Sequence, residues 1–131
     1  AYAEFLREAE KGNKRALHNL GHMTKEGKGA LQNYLDALKW WRKAAINGDF
    51  WAFCHIGEGF EKGEGVQENV LIAHAFYNLC GAMGIKEGVS MRVEIEKKMS
   101  KEQISLAQEI AKDLNFRKQL PIENHKNFIG A

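Results

Sequence analysis

Apolar positions along the chain recur with a helical period, and the whole pattern occurs twice. After Gly12, Ala16, Leu17, Leu20 and Met23 fall on one helical stripe. The glycine-bearing stretch KEGKG interrupts it, and Tyr34, Ala37, Leu38, Trp41, Ala44 and Ala45 then form a second stripe at i, i+3, i+4, i+7 spacing. The pattern predicts helix, glycine turn, helix. A shift of 36 residues, the spacing of Gly12 and Gly48, superposes Ala16 on Ala52, Leu20 on Ile56, Gly21 on Gly57, Gly27 on Gly63, Gly29 on Gly65, Asn33 on Asn69, Ala37 on Ala73 and Trp41 on Tyr77. Small residues, glycines and large apolar residues each keep their places, so what repeats is packing.

A fixed period of this length without strand-like alternation signals a helical solenoid whose unit is one hairpin. Asn13 and Asp49 stand where the first helices of the two units need N-caps, and Asn33 and Asn69 stand ahead of the second helices. Gly21 and Gly57 fall inside helices, where glycine costs about 1 kcal/mol relative to alanine, so their repetition points to two backbones in close approach.

The recurring pattern A-x3-L-G, then G-x-G-[V/A], then N-x3-A-x3-[W/Y], together with GVQEN and KWWRKAA, resembles the Sel-one-like repeat (SLR) family, relatives of tetratricopeptide repeats. The resemblance runs from Ala1 to about Leu114. Thr24 departs from it where an aromatic such as Phe60 is usual, as do Ala30 for the usual Val and Gly81 for the second Ala. It implies an all-α, right-handed solenoid of antiparallel helix hairpins with terminal capping helices.

The expected organisation is a solenoid over 1–114: a half repeat at 1–11, full repeats at 12–47 and 48–83, and degenerate capping helices at 84–114. Ala1 aligns with Ala37 and Ala73, and Phe5 with Trp41 and Tyr77, so the chain opens inside a second helix, as it would if a signal, a tag or further repeats preceded it. MSKEQISLAQEIAKDL reads as a closing helix with a capping box made by Ser100 and Gln103. Residues 115–131, with the one proline, Pro121, read as a tail.

A net charge of +2, with no run of Lys and Arg beside aromatic platforms, gives no sign of a nucleic-acid partner. No stretch reaches the roughly 18 apolar residues of a membrane-spanning helix. Two cysteines are too few for a disulfide framework; Cys54 and Cys80 read as buried thiols filling tight helix contacts. Cysteine-rich SLR relatives pair cysteines across successive repeats, a spacing absent here. The compartment stays open between bacterial periplasm or secretion and cytoplasm.

Resemblance to tetratricopeptide arrays places a binding groove on the first helices. Its positions become Arg15, His18, His22 and Lys25 in the first repeat and Trp51, Cys54, Glu58 and Glu61 in the second, with Asn19 and His55 beside them. An apolar Trp51 between basic and acidic flanks suits a protein or peptide segment; the plainer reading is a solvated face with internal ion pairs. Among the large aromatics, Trp41 and Tyr77 read as core, while Trp40 and Phe76 read as partly exposed.

His18 and His22 have a zinc-compatible i, i+4 spacing that Cys54, His55 and Glu58 would complete, but with no H-E-x2-H or paired C-x2-C they read as polar groove residues, with no metal and no cofactor. KEGKG and KGEGV lack phosphate-loop spacing, and no activated nucleophile is recognisable. The sequence therefore predicts a non-enzymatic interaction module or adaptor. The alternative is a metal-dependent or cell-wall-acting hydrolase, as the cysteine-rich relatives suggest.

Overall fold

The computed structural model describes residues 2–117, and these form helices and turns with no strand. Helices α1 (Tyr2–Glu10), α2 (Lys14–Glu26), α3 (Tyr34–Ile46), α4 (Ala52–Lys62), α5 (Val70–Ala82) and α6 (Lys86–Glu96) each pack against the next, while α7 (Lys101–Arg117) lies on α5. Helix α7 continues past Leu114, the expected end of the array; the rest of the anticipated tail, 118–131, lies outside the described residues.

Local chemistry sets the boundaries. Asn13, Asn33 and Asn69 each accept a hydrogen bond from the backbone N–H three residues on, at 3.0, 2.9 and 3.1 Å. Helices α2 and α4 stop at Gly27 and Gly63, whose φ angles of 72° and 70° are left-handed. Ser100 and Gln103 form the reciprocal capping box, at 2.8 and 3.1 Å. Asp49 departs from expectation. Helix α4 begins after Trp51 with no side-chain cap, because the Asp49 carboxylate is taken by His18 instead.

The core follows the two stripes: Leu17, Leu20, Ala37, Leu38, Trp41 and Ala44 in the first hairpin, and Ala52, Ile56, Phe60, Ala73, Phe76 and Tyr77 in the second. Phe76, expected to be partly exposed, is buried and stacks on Phe60 with ring centroids 5.9 Å apart. Trp40 is half-buried with the Lys43 ammonium 5.1 Å above its ring. Thr24 takes the place of Phe60 in the first repeat, and beside it a cleft of about 470 Å³ opens between Tyr2, Leu31 and Trp40.

The mid-helix glycines Gly21 and Gly57 correct the expectation of two backbones in close approach: an aromatic ring, not a second backbone, lies nearest each of them. A Cβ on Gly57 would sit 2.6 Å from Tyr77 Cε1 and 3.2 Å from the Ala73 carbonyl oxygen, and one on Gly21 would fall inside the Trp41 indole. The Tyr77 hydroxyl donates to Glu61 Oε1 at 2.6 Å, and burial together with that bond pushes its pKa up. Also on α5, buried His74 pairs through Nε2 with Glu96 Oε2 at 2.7 Å, and Arg92 reaches the same oxygen at 3.0 Å. These bonds, led by that from His74, hold the Glu96 carboxyl below its ordinary value.

The cysteines correct the expectation of free thiols. Their burial is as anticipated, but Cys54 on α4 and Cys80 on α5 have Cα atoms 5.8 Å apart and are joined in a disulfide.

Three outcomes follow. Gly57→Ala, which in an open helix would gain about 1 kcal/mol, should instead lower stability by roughly 1–3 kcal/mol in denaturant unfolding. An unchanged or raised midpoint would show that Tyr77 does not lie against that backbone. The oxidised chain should be two hydrogens lighter by mass than the reduced chain. Closing the loop between Cys54 and Cys80, 26 positions apart, should stabilise the fold by about 3.5 kcal/mol in the chain-entropy account. Glu96 contributes stability that is present above pH about 4.5 and is lost as pH falls toward its lower folded value, so Glu96→Gln should flatten the acid limb of stability against pH. Identical acid limbs in the two proteins would refute that assignment.

Candidate functional site

Helix α2 carries His18 and His22 one turn apart on a single face, and α4 brings His55 against them. The three imidazoles form a cluster with centroid separations of 4.8, 5.0 and 4.7 Å. One candidate donor nitrogen from each lies within 4.8 Å of the others. Behind them stands Trp41 from α3, its indole stacked on His55 at 4.6 Å and edge-on to His22 at 5.2 Å, with Nε1–H donating to the His18 carbonyl at 3.2 Å. A rigid, buried aromatic thus fixes the orientation of the cluster.

Carboxylates flank it on both sides. His18 Nδ1 meets Asp49 Oδ2, and His18 Nε2 faces His22 Nε2 at 3.0 Å. His55 Nδ1 lies 3.6 Å from Glu58 Oε1, while its Nε2 is buried with no hydrogen-bond partner. The His55 bond, with Lys62 at 3.7 Å, holds the Glu58 carboxyl below its ordinary value against the opposing effect of burial. Burial and the neighbouring His55 and His18 push His22 down to about 4, so its ring is neutral at physiological pH.

Next to the cluster, at the start of α2, a cleft of about 630 Å³ is lined by Lys14, Arg15, His18, Asn19, Gly48, Asp49, Phe50, Trp51 and Ile85. Phe50, Trp51 and Ile85 supply apolar wall, and Lys14 and Arg15 supply exposed positive charge.

The anticipated groove residues therefore divide. Arg15, His18, Asn19 and Trp51 share this cleft, and His22 and His55 adjoin it through His18. Lys25 is 4.0 Å from Glu64, and Glu58 is engaged by His55 and Lys62. Glu61 turns to Tyr77 and, at 3.2 Å, to Lys98. Cys54 requires correction: it faces the core in its disulfide and is not presented to a groove.

Lys14, Asp49, Phe50 and Ile85 were not anticipated in the cleft. Asp49 aligns with the N-cap Asn13, which concealed its pairing with His18. Ile85 comes from the loop before α6, outside the repeat. No helix among the described residues is long and apolar enough to cross a membrane.

This geometry is that of an α-solenoid built from helix hairpins. No protein-family model matches the chain, and no curated protein sequence matches it. Solved structures do. An SLR-fold protein described as a protective antigen present in uropathogenic Escherichia coli strains superposes over 92% of this chain with a TM-score of 0.83 and 30% identity. A Sel1 repeat protein from Oxalobacter formigenes superposes over 70% with a TM-score of 0.68 and 27% identity. The chain has the SLR fold, as its repeat pattern implied. It spans 26% and 37% of the lengths of these two neighbours.

Proposed function

We propose that the chain is a protein-interaction module that holds a short extended segment of a partner in the cleft between the start of α2 and the loop preceding α4. The observation that carries this reading is the lining of the cleft. Phe50, Trp51 and Ile85 offer apolar contact, while Lys14 and Arg15 stand exposed beside them with no acidic partner of their own in the cleft, Asp49 being engaged by His18. A volume of about 630 Å³ suits a few side chains rather than a folded domain. The partner segment expected is one that presents a large apolar side chain next to a carboxylate.

The neighbours support the broader part of this reading, since they are repeat proteins of a fold suited to protein interaction; nothing in them favours the hydrolase alternative. In the tetratricopeptide-like groove, Lys25, Glu58 and Glu61 serve on this reading to shape and rigidify the floor through their internal pairs.

Peptides selected from a random display library on the purified protein should be enriched in segments with an aromatic or large aliphatic residue beside Asp or Glu. Trp51→Ala should weaken them by about 2 kcal/mol or more, near 30-fold, and Arg15→Glu should slow their association. A folded Trp51→Ala variant that binds the selected peptides at full strength would remove the cleft from consideration.

A further inference from the structure

We propose that His18, His22 and His55 are the ligands of a divalent transition-metal ion, of the zinc class, that bridges α2 and α4. Three observations converge on the same point between the rings.

The first is the set of free nitrogens. His18 gives its Nδ1 to Asp49 and sets its Nε2 against His22, and His55 directs its Nδ1 at Glu58, which leaves the His55 Nε2 uncommitted. His55 Nε2 is buried without a hydrogen-bond partner, in a ring that brings a donor nitrogen within 4.8 Å of one on each of the other two. Such an atom is costly unless something completes it.

The second is spacing. In the neutral tautomer that gives its Nδ1–H to Asp49, His18 Nε2 bears a lone pair, and His22 Nε2 stands 3.0 Å away. Either a proton on His22 or a cation satisfies that contact. Two imidazole ligands of a tetrahedral zinc at 2.0–2.1 Å stand about 3.3 Å apart, so the pair is already at ligand spacing. The third nitrogen lies within 4.8 Å of the others, so it has at most about 1.5 Å to close to reach the same spacing.

The third is the surrounding shell. Imidazoles that hold a metal are oriented by a carboxylate on the other ring nitrogen, and here Asp49 and Glu58 perform that role for two of the three. The two carboxylates, Glu58 being shared with Lys62, set negative charge beside the rings. Trp41 supplies a rigid wall, stacked on His55 and bonded to the α2 backbone, which limits how far the rings can disperse. A three-nitrogen set without thiolate suits zinc, cobalt, nickel or copper rather than calcium or magnesium, and it leaves a fourth position for water or for a group brought by a partner.

The test uses untagged full-length protein stripped with a chelator and titrated with Zn²⁺ by calorimetry, and with Co²⁺ by visible absorption. It involves no peptide, so its outcome is independent of the cleft reading. One ion per chain is expected, with the absorption of a four-coordinate cobalt site and a raised melting temperature. His22→Ala and His55→Gln should each abolish stoichiometric binding, and Asp49→Asn should weaken it by roughly 10–100-fold. The melting curve of each metal-free variant reports whether it is folded. If a variant unfolds, the histidine ring resonances of the wild-type chain, followed by NMR as Zn²⁺ is added, decide the matter, since His18, His22 and His55 should shift together at one equivalent. Absence of saturable binding to the wild-type protein, unchanged affinity in folded His22→Ala or His55→Gln, or shifts confined to other histidines would overturn the assignment.

Discussion

The Trp41 ring lies against the backbone of α2 at Gly21, and the Tyr77 ring lies against α4 at Gly57. Each hairpin closes on that contact. Glycine inside a helix costs about 1 kcal/mol relative to alanine, and the burial of a large aromatic offsets this by roughly 1.5–3 kcal/mol. The exchange succeeds only if the ring has no Cβ to displace, which is why glycine and aromatic recur together, 36 residues apart. From this follow the separation of the two helices, the burial of Leu20 and Ile56 beside the rings, and the direction in which the remaining faces of α2 and α4 point.

The histidine cluster inherits its geometry from the same contact. Trp41 is at once the filler over Gly21, the stacking partner of His55 and the donor to the His18 carbonyl. In the second repeat the equivalent ring is Tyr77, whose hydroxyl is satisfied by Glu61, and the positions matching His18 and His22 are Cys54 and Glu58. The two hairpins therefore share a packing device and differ in the chemistry they place on it. At these positions the first carries two histidines, which join His55 of α4 beside an open cleft, and the second carries a cysteine of the core disulfide and a glutamate paired with His55 and Lys62.

Helix positions, the asparagine caps, the closing capping box and the repeated core aromatics Trp41 and Tyr77 were legible because each depends on neighbours within a few residues or on the repeat itself, whereas the burial of Phe76 was not. Asp49 shows where that ends. By alignment it is a cap, but a histidine 31 positions earlier competes for its carboxylate and wins. The union of Cys54 with Cys80 was hidden for a related reason: burial of both could be read from the repeat, but the distance between facing turns of α4 and α5 could not. The i, i+4 pair His18 and His22 was visible, whereas the arrival of His55 against them depends on where α4 lies relative to α2, with Trp41 stacked on its ring.

A double-mutant cycle on Gly21 and Trp41 tests this dependence most directly. Gly21→Ala should lower unfolding free energy by more than about 1 kcal/mol in the wild-type chain, against the sign of helix propensity. In a Trp41→Ala background, where the indole no longer occupies the space, the same substitution should be neutral or stabilising, giving a coupling well above the roughly 0.5 kcal/mol within which independent sites add. An equal effect of Gly21→Ala in both backgrounds would contradict the claim that the aromatic-on-glycine contact organises the solenoid and the cluster it supports.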